Sequence, residues 1–178
     1  VLVGYSMGGF VAQRMAADRP SDVSGLVLIA TRCCGAAGSD PSADEVARLA
    51  LDHVPPQLFP RAFLESAAGS RFARARSPPS SRKSLRRSGQ VEAVLKWRMA
   101  TRPCSTWASI CQPVLVIQGD EDTVVPPDNG ERLVRAAKEN CSATVSLERV
   151  PGAGHGIVAQ MPRQIAHLVG EWYTAWST

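Results

Sequence analysis

Nowhere does this 178-residue chain approach the roughly 18 consecutive apolar residues of a membrane-spanning helix, so the sequence offers no such helix. Cysteines number five, Cys33, Cys34, Cys104, Cys111 and Cys141, and none stands in a Cys-x-x-Cys pair. An odd count without that spacing argues against a zinc site or a disulfide framework, and for free thiols in a reducing, cytoplasmic compartment. Aromatics are scarce where nucleic acid would need them. From Arg71 to Arg102 there are ten Lys or Arg and only one acid, Glu92, for a local charge of +9 against +4 for the whole chain. Within that block Phe72 and Trp97 are the only rings, too few to serve as a run of stacking platforms, so no nucleic-acid partner is expected. The block then reads as a solvated face, with attraction of an anionic substrate as the other option.

Against these absences stands Gly4-Tyr5-Ser6-Met7-Gly8-Gly9. It follows the apolar run Val1-Leu2-Val3 and precedes Phe10 to Ala17, whose spacing predicts a helix. A bare Gly-x-Ser-x-Gly arises by chance in roughly one chain in twenty of this length. The context is what makes it specific: a strand turning sharply into a helix holds one side chain at the tip of a strained turn, and glycines on either side admit close backbone approach. Ser6 is that side chain. Its hydroxyl would sit at the positive end of a helix, with the Met7 N–H directed at the same place, an arrangement suited to developing negative charge. The plainer reading is that Ser6 only caps the helix.

Two partners could act with it. Pro113 to Gln118 is an apolar strand running into the acidic turn Gly119-Asp120-Glu121-Asp122 and then a proline-led helix from Pro127. A carboxylate there lies where open α/β sheets place their ligands. His155, in Gly152-Ala153-Gly154-His155-Gly156, follows another strand, Thr144 to Val150. His53 and His167 have no motif around them and read as an ordinary cap or helix histidine.

Nucleophile, acid and histidine in that order make the chain resemble the α/β-hydrolase fold, serine-nucleophile branch, over nearly its whole length. The resemblance implies that Asp122 is the acid and Asp120 structural, that His155 is the general base, and that Met7 supplies an oxyanion N–H. It implies a parallel sheet of about four strands with flanking helices, no cofactor or metal, and a small-molecule acyl substrate. Esterase, lactonase, thioesterase, carbon–carbon hydrolase and haloperoxidase-like chemistries all share this triad; the elbow and Pro41 to Val46 are most similar to small bacterial esterases and lactonases. The other class is a non-catalytic ligand-binding or interaction protein on the same fold. Oligomeric state is not legible.

In that family four strands, and a His-Gly loop giving a second oxyanion N–H, precede the elbow; here the only His-Gly is His155-Gly156. The expectation is an amino-terminally truncated chain, the carboxyl-terminal part of a larger enzyme. Residues 1–30 and 113–178 would form the core and 31–112 a helical cap, with helical patterns over Ala43 to Leu51 and at Val91, Val94, Leu95 and Met99, and a loose stretch from Ala73 to Gln90. Core elements are expected as strand 1–3, helix 7–18, strand 26–30, strand 114–118, helix 127–140, strand 144–150 and helix 158–176.

Overall fold

Four strands pair in parallel and in chain order: β1 (Leu2–Tyr5), β2 (Leu26–Ile29), β3 (Val114–Gly119) and β4 (Val145–Val150). The computed structural model describes residues 1–33, 56–75, 105–140 and 144–177, together with Gly89, Glu92, Ala93, Lys96 and Trp97. The helices whose bounds fall within these residues are α1 (Met7–Asp18), α2 (Arg61–Glu65), α3 (Ala67–Ala75), α4 (Asp128–Asn140), α5 (Ile157–Gln160) and α6 (Pro162–Ser177).

Every position of β2 and β3 is buried, which is why both read as unbroken apolar runs rather than alternating ones. Leu26 pairs with Val114 and Ile29 with Ile117, and the pleat sends alternate side chains into two cores. On one face Leu26, Leu28, Val114 and Val116 pack with Ala12 and Ala16 of α1 and Leu133 of α4. On the other, Val27, Ile29, Leu115 and Ile117 pack with Ile157, Ile165 and Trp172. Helices on both faces of a parallel sheet are the α/β architecture the alternating pattern implied.

Observed bounds lie within two residues of the expected ones, apart from the last helix, which is two. Pro162 has no N–H to donate and disfavours a helical conformation in the residue before it. Met161 accordingly takes φ −133° and ψ 53°, α5 stops at Gln160, and α6 starts with Pro162 as its first residue. The cap helix expected over Ala43 to Leu51 lies outside the described residues, as do Val91, Val94, Leu95 and Met99, but Gly89, Glu92, Ala93, Lys96 and Trp97 among them are helical. Nearby, Glu92 and Lys96 form an exposed ion pair at 2.7 Å; its hydrogen bond and charge hold the Glu92 carboxyl below its ordinary pKa and raise that of Lys96. α2, ahead of the basic block, and α3, which runs into it, have no counterpart in the expected elements, and Ala73 to Ala75 are helical where a loose stretch is expected. Cys33 and Cys111 are disulfide-bonded, so these two are not the free thiols expected, and the case for a reducing compartment falls with them. The odd count misled because it requires only one cysteine to be left over. Cys34, Cys104 and Cys141 lie outside the described residues.

α1 is apolar on more than its inner side. Ala12 and Ala16 face the core, yet Val11 and Met15 are 55% and 44% exposed, as are Val1 (47%), just before β1, and Val3 (58%) within it, a strand that among the described ones pairs only with β2. Gln13 breaks the pattern in the other direction. It is fully buried, donates to the carbonyls of Gly9 (3.0 Å) and Arg32 (2.9 Å), and accepts from Trp107 Nε1 (3.0 Å). With its amide satisfied, it stitches α1 to the turn after β2 at little desolvation cost.

Candidate active site

Between the last residue of β1 and the first of α1 the chain turns at Ser6, with φ 52° and ψ −121°. A side chain in that region is strained by about 1–3 kcal/mol, so neighbours must hold it. The Ser6 N–H donates to the Ile29 carbonyl at 2.9 Å, tying the turn to β2. Its own carbonyl accepts from the Gly9 N–H at 2.9 Å and from Thr31 Oγ1 at 2.8 Å. A Cβ on Gly4 would come within 2.6 Å of Gly9 Cα and 2.7 Å of the Gly8 carbonyl, whereas one on Gly9 would meet Thr31 Cβ at 2.6 Å. Around Gly8 nothing lies within 4 Å of that position.

The close approach downstream of Ser6 is therefore made by Gly9 and not by the motif's own Gly8. Gly9→Ala is expected to destabilise the protein by about 1–3 kcal/mol, because the extra methyl group must displace Thr31. Gly8→Ala is expected to be neutral, or stabilising by up to about 1 kcal/mol through helix propensity. Denaturant unfolding of the two variants side by side checks the contrast, and equal losses would refute it.

Ser6 makes no side-chain cap to α1; its Oγ lies 2.8 Å from His155 Nε2 instead. The capping reading fails on that contact. His155 stands in the turn between β4 and α5, 4% exposed, and its Nδ1 is 2.9 Å from Asp122 Oδ2. Asp122, 2% exposed, is ringed by donors: Oδ1 accepts from the N–H groups of Val124 (2.9 Å) and Val125 (2.8 Å), and Oδ2 also from Gln118 Nε2 (3.2 Å). A carboxylate only accepts, so Nδ1 carries the imidazole proton and Nε2 turns its lone pair to the Ser6 hydroxyl.

Of the three acids in the turn, Asp122 is the one brought to the histidine. Asp120 points outward and pairs with Arg149 at 2.6 Å, which also reaches Glu131 at 3.2 Å. Met7 opens α1, a position whose N–H has no acceptor within the helix. His167 is an exposed residue of α6, 3.3 Å from Glu171. His53 lies outside the described residues, as does most of the basic block. Phe72 packs edge-on against Phe59, and Trp97 stacks on Phe10. Among the described residues no group of three or more His, Cys, Asp or Glu could hold a metal ion, and no helix is long and apolar enough to cross a membrane.

Three further residues shape the site. Gln118 holds Asp122, Thr31 braces the elbow, and the Tyr5 hydroxyl donates to the His155 carbonyl at 2.8 Å. For Gln118 the signal was visible: one amide closing an otherwise apolar strand. Tyr5 and Thr31 carried none, because their partners are 150 and 25 residues away.

An elbow, an acid turn and a histidine loop, set in chain order at one end of such a sheet, define an α/β-hydrolase. Within that class the chain belongs to the family described as serine aminopeptidase, S33, whose model matches residues 1–160. No curated protein matches the sequence. Among solved structures it is similar to BpoC of Mycobacterium tuberculosis H37Rv, a candidate non-heme bromoperoxidase, at 25% identity and a TM-score of 0.70 over 97% of this chain and 66% of that one. A hydrolase from Pseudomonas aeruginosa PA01 (24% identity, TM-score 0.67) matches 96% of this chain with 63% of its own. A thermophilic esterase from Thermogutta terrifontis (23%, TM-score 0.66) matches 98% with 64% of its own. The last two likenesses concern the fold alone. The chain thus spans just under two thirds of the length of these proteins.

Proposed function

We propose that the protein is a serine hydrolase of an ester, lactone or similar acyl substrate, working without a cofactor. The observation that carries this reading is the unbroken contact chain from Ser6 Oγ through the His155 ring to Asp122, with Ser6 held at a strained turn instead of capping its helix. Ser6 Oγ attacks the acyl carbonyl while His155 Nε2 takes the hydroxyl proton. Negative charge collects on the carbonyl oxygen, where the Met7 N–H and the start of α1 oppose it. Nε2–H then protonates the leaving group, and an acyl-enzyme remains on Ser6. Water, deprotonated by Nε2, releases the acid and restores the serine. Asp122 keeps the imidazole in the required tautomer and stabilises the imidazolium without itself being protonated.

In this reading residues 1–30 and 113–178 are the core and the insertion between them is the lid, of which the described stretch 57–60 lies against the loops after β3 and β4, while Trp107 and Ile110 pack into the core. Val1, Val3, Val11 and Met15 are exposed on and beside β1, an apolar surface suited to packing against further protein.

A fluorophosphonate probe is expected to label the full-length protein once, at Ser6, and to leave Ser6→Ala unlabelled. Peptide mapping locates the adduct. A folded protein with no Ser6 adduct would return the chain to the non-catalytic class on this fold. Family membership makes aminoacyl arylamides a sensible addition to a panel of p-nitrophenyl esters and lactones, since amides pass through the same acyl-enzyme.

A further inference from the structure

The short segment leading into α2 touches both loops that carry the proposed triad. The Gly156 N–H, one residue past His155, donates to the Leu58 carbonyl at 2.6 Å. Thr123 Oγ1, one residue past Asp122, donates to the Gln57 carbonyl at 3.3 Å. Next in the chain after these two acceptors is Phe59, only 6% exposed, with Phe63 and Phe72 against it at ring separations of 5.0 and 5.1 Å. Its ring fills the space where a Cβ on Gly156 would stand, while a Cβ on Gly154 would meet Pro60 Cδ at 2.7 Å and the Leu58 carbonyl at 2.9 Å. Both glycines around His155 are thus backbone surfaces against which residues 58–60 are seated.

That packing bears on the proton transfer. His155 has no rigid element of its own; it lies in a turn, fixed at its ring by Ser6 and Asp122 and at its carbonyl by Tyr5. Ahead of the histidine the loop is tied by Gln160, whose side chain accepts from the Gly154 N–H at 3.0 Å and donates to the Gly152 carbonyl at 2.7 Å, and by the Glu121 N–H on the Ala153 carbonyl at 2.9 Å; at Gly156 it rests on Leu58 and Phe59. Removing the ring leaves room for the backbone at Gly156 to sink toward α2, drawing Nε2 away from Ser6 Oγ.

We infer that Phe59 is a positioning residue for His155, a wedge that sets the 2.8 Å contact between Nε2 and the nucleophile. The inference rests on the proposed triad. In the full-length protein Phe59→Ala is expected to lower kcat on a p-nitrophenyl ester by about 10²-fold with KM held within about twofold, as a misplacement of about 1 Å does. Fluorophosphonate labelling of Ser6 should slow by the same factor, and Phe59→Leu should keep most of both rates. A residue that merely packs the lid would change KM or thermal stability and leave the labelling rate alone, and that outcome overturns the inference while sparing the triad. Absence of any Ser6 adduct in the unsubstituted protein overturns both. If Phe59→Ala does not fold, Gly156→Ala serves: its methyl group collides with the ring, kcat falls, and adding Phe59→Leu restores it. Failure of the double variant to recover activity overturns the inference.

Discussion

Asp122→Asn in the full-length protein is expected to cut kcat by about 10⁴-fold with the fold retained. The size follows from the donors around the carboxylate. If the amide keeps its oxygen toward His155 Nδ1, its NH₂ faces the N–H groups of Val124 and Val125, donor against donor. If it flips, the NH₂ faces Nδ1, the imidazole proton moves to Nε2, and the group that should accept the Ser6 proton no longer can. Asp120→Asn, by contrast, removes an exposed pair with Arg149 worth at most about 1 kcal/mol and should leave kcat unchanged. Steady-state kinetics with circular dichroism as the folding control decides the matter. An inactive but folded Asp120→Asn beside an active Asp122→Asn would reverse the assignment.

Residues 1–178 expressed alone are expected to associate and to hydrolyse p-nitrophenyl acetate no faster than their Ser6→Ala variant. Among the described strands β1 pairs only with β2, so it lies at an edge of the sheet, and beside it Val3 and Val11 are more than half exposed. The α/β-hydrolase mechanism draws a second oxyanion N–H from a His-Gly loop, and in this sequence that dipeptide is the one at His155. Losing one such donor costs about 10² to 10³ in rate. Size-exclusion chromatography and an esterase assay test both halves of the expectation. A monomeric preparation with Ser6-dependent turnover would overturn it.

How much the sequence disclosed depended on how local the cause was. β2 and β3 were legible because burial on both faces leaves an apolar run that needs no partner to be recognised. The elbow was legible because its strain is spent within six residues, from Gly4 to Gly9. Gln13 was not, since a polar residue on a helix reads as outward-facing until Trp107 and Arg32 arrive from distant segments to satisfy it. α2 and α3 are short, and α3 buries only Gly69, so neither carries an apolar stripe long enough to announce a helix. The break at Met161-Pro162 is written in the sequence, but the apolar spacing of Ile165, Leu168, Val169 and Trp172 beyond it masks it.

The joints of the sheet differ greatly in span. Leu2 and Leu26 pair across 24 residues, Val114 and Val145 across 31, but Leu26 and Val114 across 88. Loop-closure entropy grows only logarithmically, about 0.6 kcal/mol per doubling, so the long central excursion costs roughly 1 kcal/mol more than its neighbours. Evolution can lengthen or shorten the connection between β2 and β3 at almost no loop-closure cost, provided that Thr31 at the elbow, Phe59 at the histidine loop and Trp107 in the core are kept, while the strands on either side keep their register. The length of that connection and the register of the sheet are therefore free to change at different rates, the first by insertion and drift, the second hardly at all.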